Sequence, residues 1–533
     1  MRRLNRHCPD LPLFDVAHTR RIEAAALAPL PAHALMQRAG AAVARLALAL
    51  APHARLIRIV TGTGNNGGDG IDAAIRLQHA GKAVEVILLG EPQADDARDA
   101  LARAHDAGVP VHAAATSALG AQDLAIDALL GIGASRAAEG SLREAIAALN
   151  ALPCPVLAID LPSGLAADTG QPLGEAVRAT HTLSLLTLKP GLFTAAGRDH
   201  AGTVWFDDLG IDTAHEQPEA WLGGAATVAA PARRHAQHKG SFGDVAVVGG
   251  APGMGGAALL AGRAALAAGA GRVFVEMLDA QALALDQARP ELMLRPGWSR
   301  HADPATLARS TVVCGCGGGE AVRTALPALL SNAARLVLDA DALNAIGADE
   351  SLRRQLRTRA SRAQATVITP HPLEAARLLA CANTAIQADR LAAARRLADE
   401  LACVVVLKGS GSIVAAPGRV PCINASGDAS LATAGTGDVL AGWLGGHWAQ
   451  RDEADALERA WHVARHATWW HGAAAEAAAR PVLRAADLIE QMALRGGSAL
   501  ARRRYRRGAG RPAARGHRAG AIAGLRGAAQ GVG

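Results

Sequence analysis

Short apolar runs that stop at glycine, aspartate or proline recur along this chain, and they come in two sets. The first set is RLIRIV (55–60), AVEVILL (83–89), LAIDALL (124–130), PVLAIDLP (155–162) and HTLSLLTL (181–188). The second is DVAVVGG (244–250), GRVFVEML (271–278), STVVCG (310–315), RLVLDAD (335–341), ATVITP (365–370) and CVVVLKG (403–409). Ala- and Leu-rich stretches lie between several of them, the pattern of parallel strands joined by crossover helices. Each set therefore predicts a doubly wound α/β unit. Residues 213–237 separate the sets with proline, glycine and mixed charge, and read as an irregular linker. The expected division is 1–212, a linker at 213–237, 238–499 with a closing helix from about Asp438, and a tail at 500–533.

At 533 residues the chain is too long for one core, and 50% hydrophobic content fits buried globular layers. The net charge of +7 comes from the tail, which holds nine arginines and no acid. The remainder is slightly negative, which argues against a nucleic-acid partner. The tail lacks apolar periodicity and is expected to be disordered. It holds the chain's one tyrosine, Tyr505, and also fits a shifted reading frame. The seven cysteines form no C-x-x-C pair, so a zinc site or disulfide framework is not expected and a reducing compartment is. With neither an apolar run of membrane length nor a signal-peptide core, the expectation is a cytoplasmic protein.

TGTGNNGGDG (61–70) follows the first run, and Gly62, Gly64 and Gly67 have the spacing of a dinucleotide-binding turn. Asp69 does not suit that role. A carboxylate at a helix start would sit where a pyrophosphate should rest. In the second half ATAGTGD (432–438) leads into an apolar helix-like run, so small residues can close around an anion at a helix N-terminus. Asp438 would then face the transferring phosphoryl group as a base. The same pattern also describes a glycine-rich turn with Asp438 as N-cap. Lys408-Gly409-Ser410-Gly411-Ser412 after one strand, His371 and Glu374 after another, and LDADALN (338–344) add a cation, an imidazole and acids at strand ends.

In this order the segments HKGSFGDVAVVGG, TPHPLEAARLL, VLKGSGSIVA and GTGDVLAG resemble the ADP- or ATP-dependent NAD(P)H-hydrate dehydratases, of ribokinase-like fold, over about 238–488. NNGGDG, IDALLGIGASR, AIDLPSGLAADTG and LLTLKPGLFT resemble the NAD(P)H-hydrate epimerases, of Rossmann-like fold, over about 13–209. The resemblance implies a bifunctional repair enzyme for hydrated NADH and NADPH. Asp160 and Lys189 would serve epimerisation. Asn65, Asn66, Gly67, Gly68 and Asp69, with Gly131, Ile132, Gly133, Ala134, Ser135, Arg136 and Ala137, would bind the hydrate. Asn66, Asp127 and Ser163 would hold potassium.

In the second half the resemblance implies Asp438 as the base. Ala257, Gly317 and His371 would line the hydrate site, and Lys408 to Ser412 with Gly437 would hold ADP or ATP with magnesium. It also implies a homo-oligomer. The chain departs from the family pattern at Asp428, Leu431 and Ala434, and reads Gly315-Cys316-Gly317 where the family has G-P-G. Asp428 adds a negative charge near the phosphate site.

Three other functions bear on the same residues. An oxidoreductase would use Glu91 to hold a ribose but leaves Asn65, Asn66 and Asp69 unexplained. A sugar or vitamin kinase would use the second half alone and yield a stable phosphate ester. A non-catalytic RNA-associated scaffold would call for exposed basic and aromatic residues, and aromatics are 3% of this chain.

Overall fold

The computed structural model describes residues 1–224, 233–282, 284–451 and 455–494. The tail at 500–533 and part of the 213–237 segment lie outside the described residues. In chain order the first strands are β1 (Arg2–Arg3), β2 (Leu11–Leu13), β3 (Ile57–Thr61), β4 (Val84–Leu88), β5 (Val111–His112), β6 (Leu124–Ala128), β7 (Val156–Ile159), β8 (His181–Leu185) and β9 (Thr203–Asp207). Then come β10 (Ala220–Gly223), β11 (Asp244–Gly249), β12 (Arg272–Met277), β13 (Met293–Leu294), β14 (Thr311–Cys314) and β15 (Arg335–Leu338). The last are β16 (Ala365–Ile368), β17 (Val404–Leu407), β18 (Ile413–Ala415) and β19 (Cys422–Asn424).

Among the described residues these strands make an eight-stranded sheet, ordered β1-β9-β8-β7-β6-β3-β4-β5, and an eleven-stranded one, β13-β12-β11-β14-β15-β16-β17-β18-β19-β10-β2. The long apolar runs pair in parallel in both, with helices packed on both faces. Strand order reverses between β3 and β6 in the first sheet and between β11 and β14 in the second. At such a reversal two crossover helices diverge and leave a crevice at the strand C-termini.

Two sequence expectations change. The 213–237 segment is not wholly irregular, because β10 pairs with β19 and with β2. Thus Leu11–Leu13, from the start of the chain, completes the second sheet, and Leu11, Leu13, Leu188 and Leu222 join its core. Such short strands are specified by partners some 200 residues away, a signal no local window carries. The helix Thr436–Ala449 is also not the last. Asp455 caps a further helix, Ala456–Ala478, by accepting from the amides of Leu457 and Glu458. Among the described residues no helix is long and apolar enough to cross a membrane.

Candidate active sites of the two units

The first crevice is a cavity of about 930 Å³. Its floor is the start of the helix Asn65–His79, which begins directly after β3 with Gly64 as N-cap. Gly62 is obligatory here, since a Cβ would lie 2.1 Å from the carbonyl oxygen of Leu129. Gly67 and Gly68 do not line the cavity. A Cβ on Gly67 would meet the Gly62 carbonyl at 2.1 Å, and one on Gly68 would meet Met36 at 2.4 Å, so both serve helix packing. Asn65, Asn66 and Asp69 do line it, as do Gly131 to Ala137 and, across the sheet, Asp160 and Lys189.

Asp69 is the fifth residue of its helix, not the first, so it stands beside the free N-terminal amides rather than over them. Burial, then Asp160, Glu23, Asp72 and Asp96, hold its carboxyl well above the usual range. A protonated Asp69 is a hydrogen-bond donor and no longer repels an anion.

Asp160 sits at the end of β7 with φ +65°, a left-handed geometry rare for aspartate. Its Oδ1 accepts from the Leu185 amide at 3.1 Å and from the Lys189 ammonium. Lys189 is 1% exposed, and its Nζ also donates to the carbonyls of Leu185 (2.8 Å) and Thr187 (3.0 Å). A lysine with this many fixed acceptors is a built part of the cavity wall rather than a solvated surface group. Thr19, Arg20 and Glu23 from the helix Val16–Leu27, and Asp96 from the helix Asp95–Asp106, add polar and charged groups to the lining. None of these four was evident in the sequence, where they stand over 60 residues from Asp160 without a motif.

Asp127 and Ser163 lie outside the cavity lining, with Asn66 at its wall. Asp127 is fully buried, and its oxygens accept from the Ser163 hydroxyl (2.6 Å), the Ser163 amide (2.8 Å) and the Leu129 amide (3.2 Å). Burial pushes its carboxyl up to about 6. Ser163 Oγ accepts from the Leu130 amide at 2.8 Å, and Gly131 packs on Asn66. The Asn66 Nδ2 is buried with no partner among the described residues. An amide, a hydroxyl and a carboxylate, all hard oxygen donors with at most one charge, fit a weakly held monovalent cation.

The second crevice centres on Asp438, third residue of the helix Thr436–Ala449. Gly435, at φ +90°, is the N-cap, so Asp438 does not cap the helix and its carboxylate is left for the crevice. Carboxylate oxygens of Asp438 and Asp339 and the Cys316 sulfur lie within 4.8 Å of one another. Burial first, and Asp339 second, push Asp438 up to about 6. Lys408 Nζ donates to Asp339 Oδ1 at 2.7 Å and lies 3.9 Å from Glu374 Oε2. Burial opposes the Lys408 charge, but Asp339 and Glu374 outweigh it and raise the ammonium above its ordinary value. A Cβ on Gly437 would stand 3.3 Å from Lys408 Nζ, so the anion turn and the lysine adjoin.

Gly317, at φ +58°, packs against Ala257, whose Cβ is 2.9 Å from where a glycine-to-alanine Cβ would lie. Gly317 also follows Cys316, which places the expected hydrate-lining pair beside Asp438. His371 stands at the edge of this crevice, with Lys408 and Asp339 among the charges acting on it, and its ring also caps its own helix. Its Nδ1 accepts from the amides of Leu373 (3.1 Å) and Glu374 (3.4 Å) as a helix cap, and Nε2 lies 3.2 Å from Glu374 Oε1. Oxygens of Asp339 and Asp438 suit magnesium, whereas the Cys316 thiol is a soft ligand that burial keeps protonated. Asp428 is absorbed locally, accepting from the Ser430 amide at 3.0 Å and from its hydroxyl.

Comparison with known proteins matches both halves of the chain. Residues 32–191 match the model of the YjeF-related protein N-terminus, and 245–493 match that of NAD(P)H-hydrate dehydratase. The chain is 37% identical to the bifunctional NAD(P)H-hydrate repair enzyme Nnr of Escherichia coli (strain K12), over 79% of this chain and 82% of that one. This chain belongs to the bifunctional NAD(P)H-hydrate repair enzymes. Its relatives include the Nnr of Gloeobacter violaceus, 35% identical over 87% and 93% of the two chains. The Leishmania braziliensis enzyme is 35% identical over 84% and 86%. In this family the two sheets are the epimerase unit and the ribokinase-like dehydratase unit. A Bacillus subtilis ADP/ATP-dependent NAD(P)H-hydrate dehydratase co-crystallised with ATP and magnesium aligns with 50% of this chain and 94% of its own, 28% identical, at a TM-score of 0.41.

Proposed function

We propose that the first unit interconverts the R and S hydrates of NADH and NADPH at nicotinamide C6. The second would dehydrate the S form at the expense of ADP, releasing AMP, phosphate and the reduced nucleotide. The observation that carries the reading is Asp438, uncommitted as a cap and standing beside Lys408 at the mouth of the anion turn. A carboxylate there takes the proton of the C6 hydroxyl as its oxygen attacks the terminal phosphoryl group. Lys408 and the first amides of the helix Thr436–Ala449 hold phosphate oxygens. Phosphate then leaves C6 where hydroxide would not, and loss of a proton from C5 restores the C5–C6 double bond. Magnesium, facing Asp339 and carried on the nucleotide phosphates, would neutralise charge during transfer.

In the first unit Asp160 would shuttle the proton as water leaves and re-adds at C6, with Lys189 fixing its orientation. Asn66, Asp127 and Ser163 would hold potassium beneath the hydrate's phosphates. Cytoplasmic location and a homo-oligomeric state complete the reading, and sedimentation of the full chain tests the latter.

The experiment is recovery of near-ultraviolet nicotinamide absorbance from a mixed-epimer NADH hydrate with magnesium, potassium and ADP or ATP. Full recovery is expected. A stall at the S fraction would remove the epimerase assignment. No recovery with either nucleotide would remove the dehydratase assignment, and a stable phosphate ester would indicate a kinase.

A further inference from the structure

A short segment of the epimerase unit, Phe193 to Arg198, runs against both anion loops of the dehydratase unit. It begins four residues after Lys189. The Ala195 amide donates to the Ser410 carbonyl at 3.2 Å, and the Thr194 hydroxyl donates to the same oxygen at 3.3 Å. Gly411, at φ +60°, would place a Cβ 1.9 Å from the Phe193 carbonyl oxygen, so only glycine permits this approach. Arg198 donates to the Gly427 carbonyl at 2.6 Å, at the start of the 427–438 turn.

Beneath the Lys408–Ser412 loop lies Arg390, only 2% exposed. Its Nε donates to Thr194 Oγ1 at 3.2 Å, and its other nitrogens donate to the carbonyls of Lys408 (3.1 Å) and Leu407 (3.4 Å) and to Gln387 Oε1 (3.3 Å). The guanidinium lies 2.8 Å from where a Gly409 Cβ would stand. Among the described residues no carboxylate oxygen comes within 4.0 Å of it. Buried guanidinium groups are ordinarily paired with an acid, because an uncompensated charge in a low-dielectric site is costly. Here the missing anion has a natural source: the loop above is the one that would carry nucleotide phosphates.

We propose that Arg390, held by Thr194 of the epimerase unit, is a positioning residue for the nucleotide loop, so that the dehydratase site reaches full nucleotide affinity only with the first unit docked on it. This rests on the nucleotide-dependent reading of the second unit. Arg390 shapes the loop through the Lys408 carbonyl and that of Leu407 at the end of β17, and projects positive potential through it, while Thr194 orients the guanidinium and fixes Ser410. Burial alone lowers the Arg390 pKa, to about 10, and leaves the group charged at neutral pH.

The test uses the full chain, with ADP titrated calorimetrically and dehydration of the S hydrate measured at varied ADP. Arg390→Gln is expected to raise the ADP Kd and KM roughly tenfold, and Thr194→Val roughly threefold, with kcat and hydrate KM within about twofold. Arg390→Lys, which keeps the charge, should recover part of the loss. Arg390→Gln combined with Thr194→Val should fall short of the product of the two single effects, since part of the hydroxyl's action runs through the guanidinium and part directly through Ser410. Wild-type ADP affinity in folded Arg390→Gln and Thr194→Val would overturn the proposal, as would parallel changes in kcat and hydrate KM. Should Arg390→Gln not fold, Thr194→Val decides by itself. Absence of ADP binding by the wild type would instead overturn the nucleotide-dependent reading, and the proposal with it.

Discussion

The Lys189 ammonium donates to Oδ1 of Asp160, and neither side chain is free to choose another geometry. Asp160 is fixed by its left-handed backbone at the end of β7, and Lys189 by the carbonyls of Leu185 and Thr187. The pair therefore presents one carboxylate oxygen committed to the lysine and leaves Oδ2 to the cavity. Asp160→Asn is expected to slow R–S interconversion by about 10²–10⁴-fold, followed by chromatographic separation of the epimers. Dehydration of purified S hydrate should continue at the wild-type rate. If interconversion were undiminished, Asp160 would not be the proton shuttle.

Asp438→Asn separates the activities the other way. Dehydration should fall by about 10²–10⁴-fold with epimerisation and ADP binding retained. Loss of ADP binding in this variant would assign the carboxylate to the nucleotide rather than to the hydroxyl.

The pH dependence of dehydration follows from the position of the Asp438 carboxyl at about 6. A base acts ionised, so kcat/KM should rise with pH up to that point and level off above it. Stability runs in the opposite sense. Because the folded-state value is raised above the ordinary 3.8, the carboxyl favours folding fully only below 3.8, and that contribution is lost as pH rises through about 6. Asp438→Asn never ionises. Its Tm should match the wild type at acid pH and exceed it above pH 6, as measured by differential scanning calorimetry.

Replacing potassium by a bulky organic cation should slow epimerisation and leave dehydration unchanged. Asp127→Asn keeps the shape of the site but removes its charge, and should weaken potassium activation by roughly 10–100-fold on the scale of other metal-site substitutions. Equal epimerisation rates with and without potassium in the wild type would dismiss the cation site.

Gly67→Ala tests the packing role of the glycine turn. Its Cβ would stand 2.1 Å from the Gly62 carbonyl, a backbone atom that cannot swing aside. A loss of about 1–3 kcal/mol in unfolding free energy is expected, the range of overpacked core sites. Substrate KM effects without any stability loss would return Gly67 to the ligand-binding set.

Much of this protein is written locally. The apolar runs at 57–61, 84–88, 124–128, 244–249 and 335–338 became parallel strands because a mostly apolar segment ending near a turn has few other ways to be buried. Family-specific segments brought Asp160, Lys189 and Lys408 to strand ends and Asp438 to a helix start in two crevices, since such loops stay beside the elements they join. Distance in the chain hid the rest. That Leu11–Leu13 and Ala220–Gly223 close the second sheet depends on pairing across some 200 residues. Glu23 and Asp96 reach the Asp160 cavity from helices with no motif. Arg390 belongs to no motif, and only the fold sets Thr194, 196 residues earlier, against it. Sequence determines what a segment can form and which side chains sit at its ends. The tertiary structure alone decides which distant charges share a low-dielectric site, because that is a property of the packing between segments and of none of them singly.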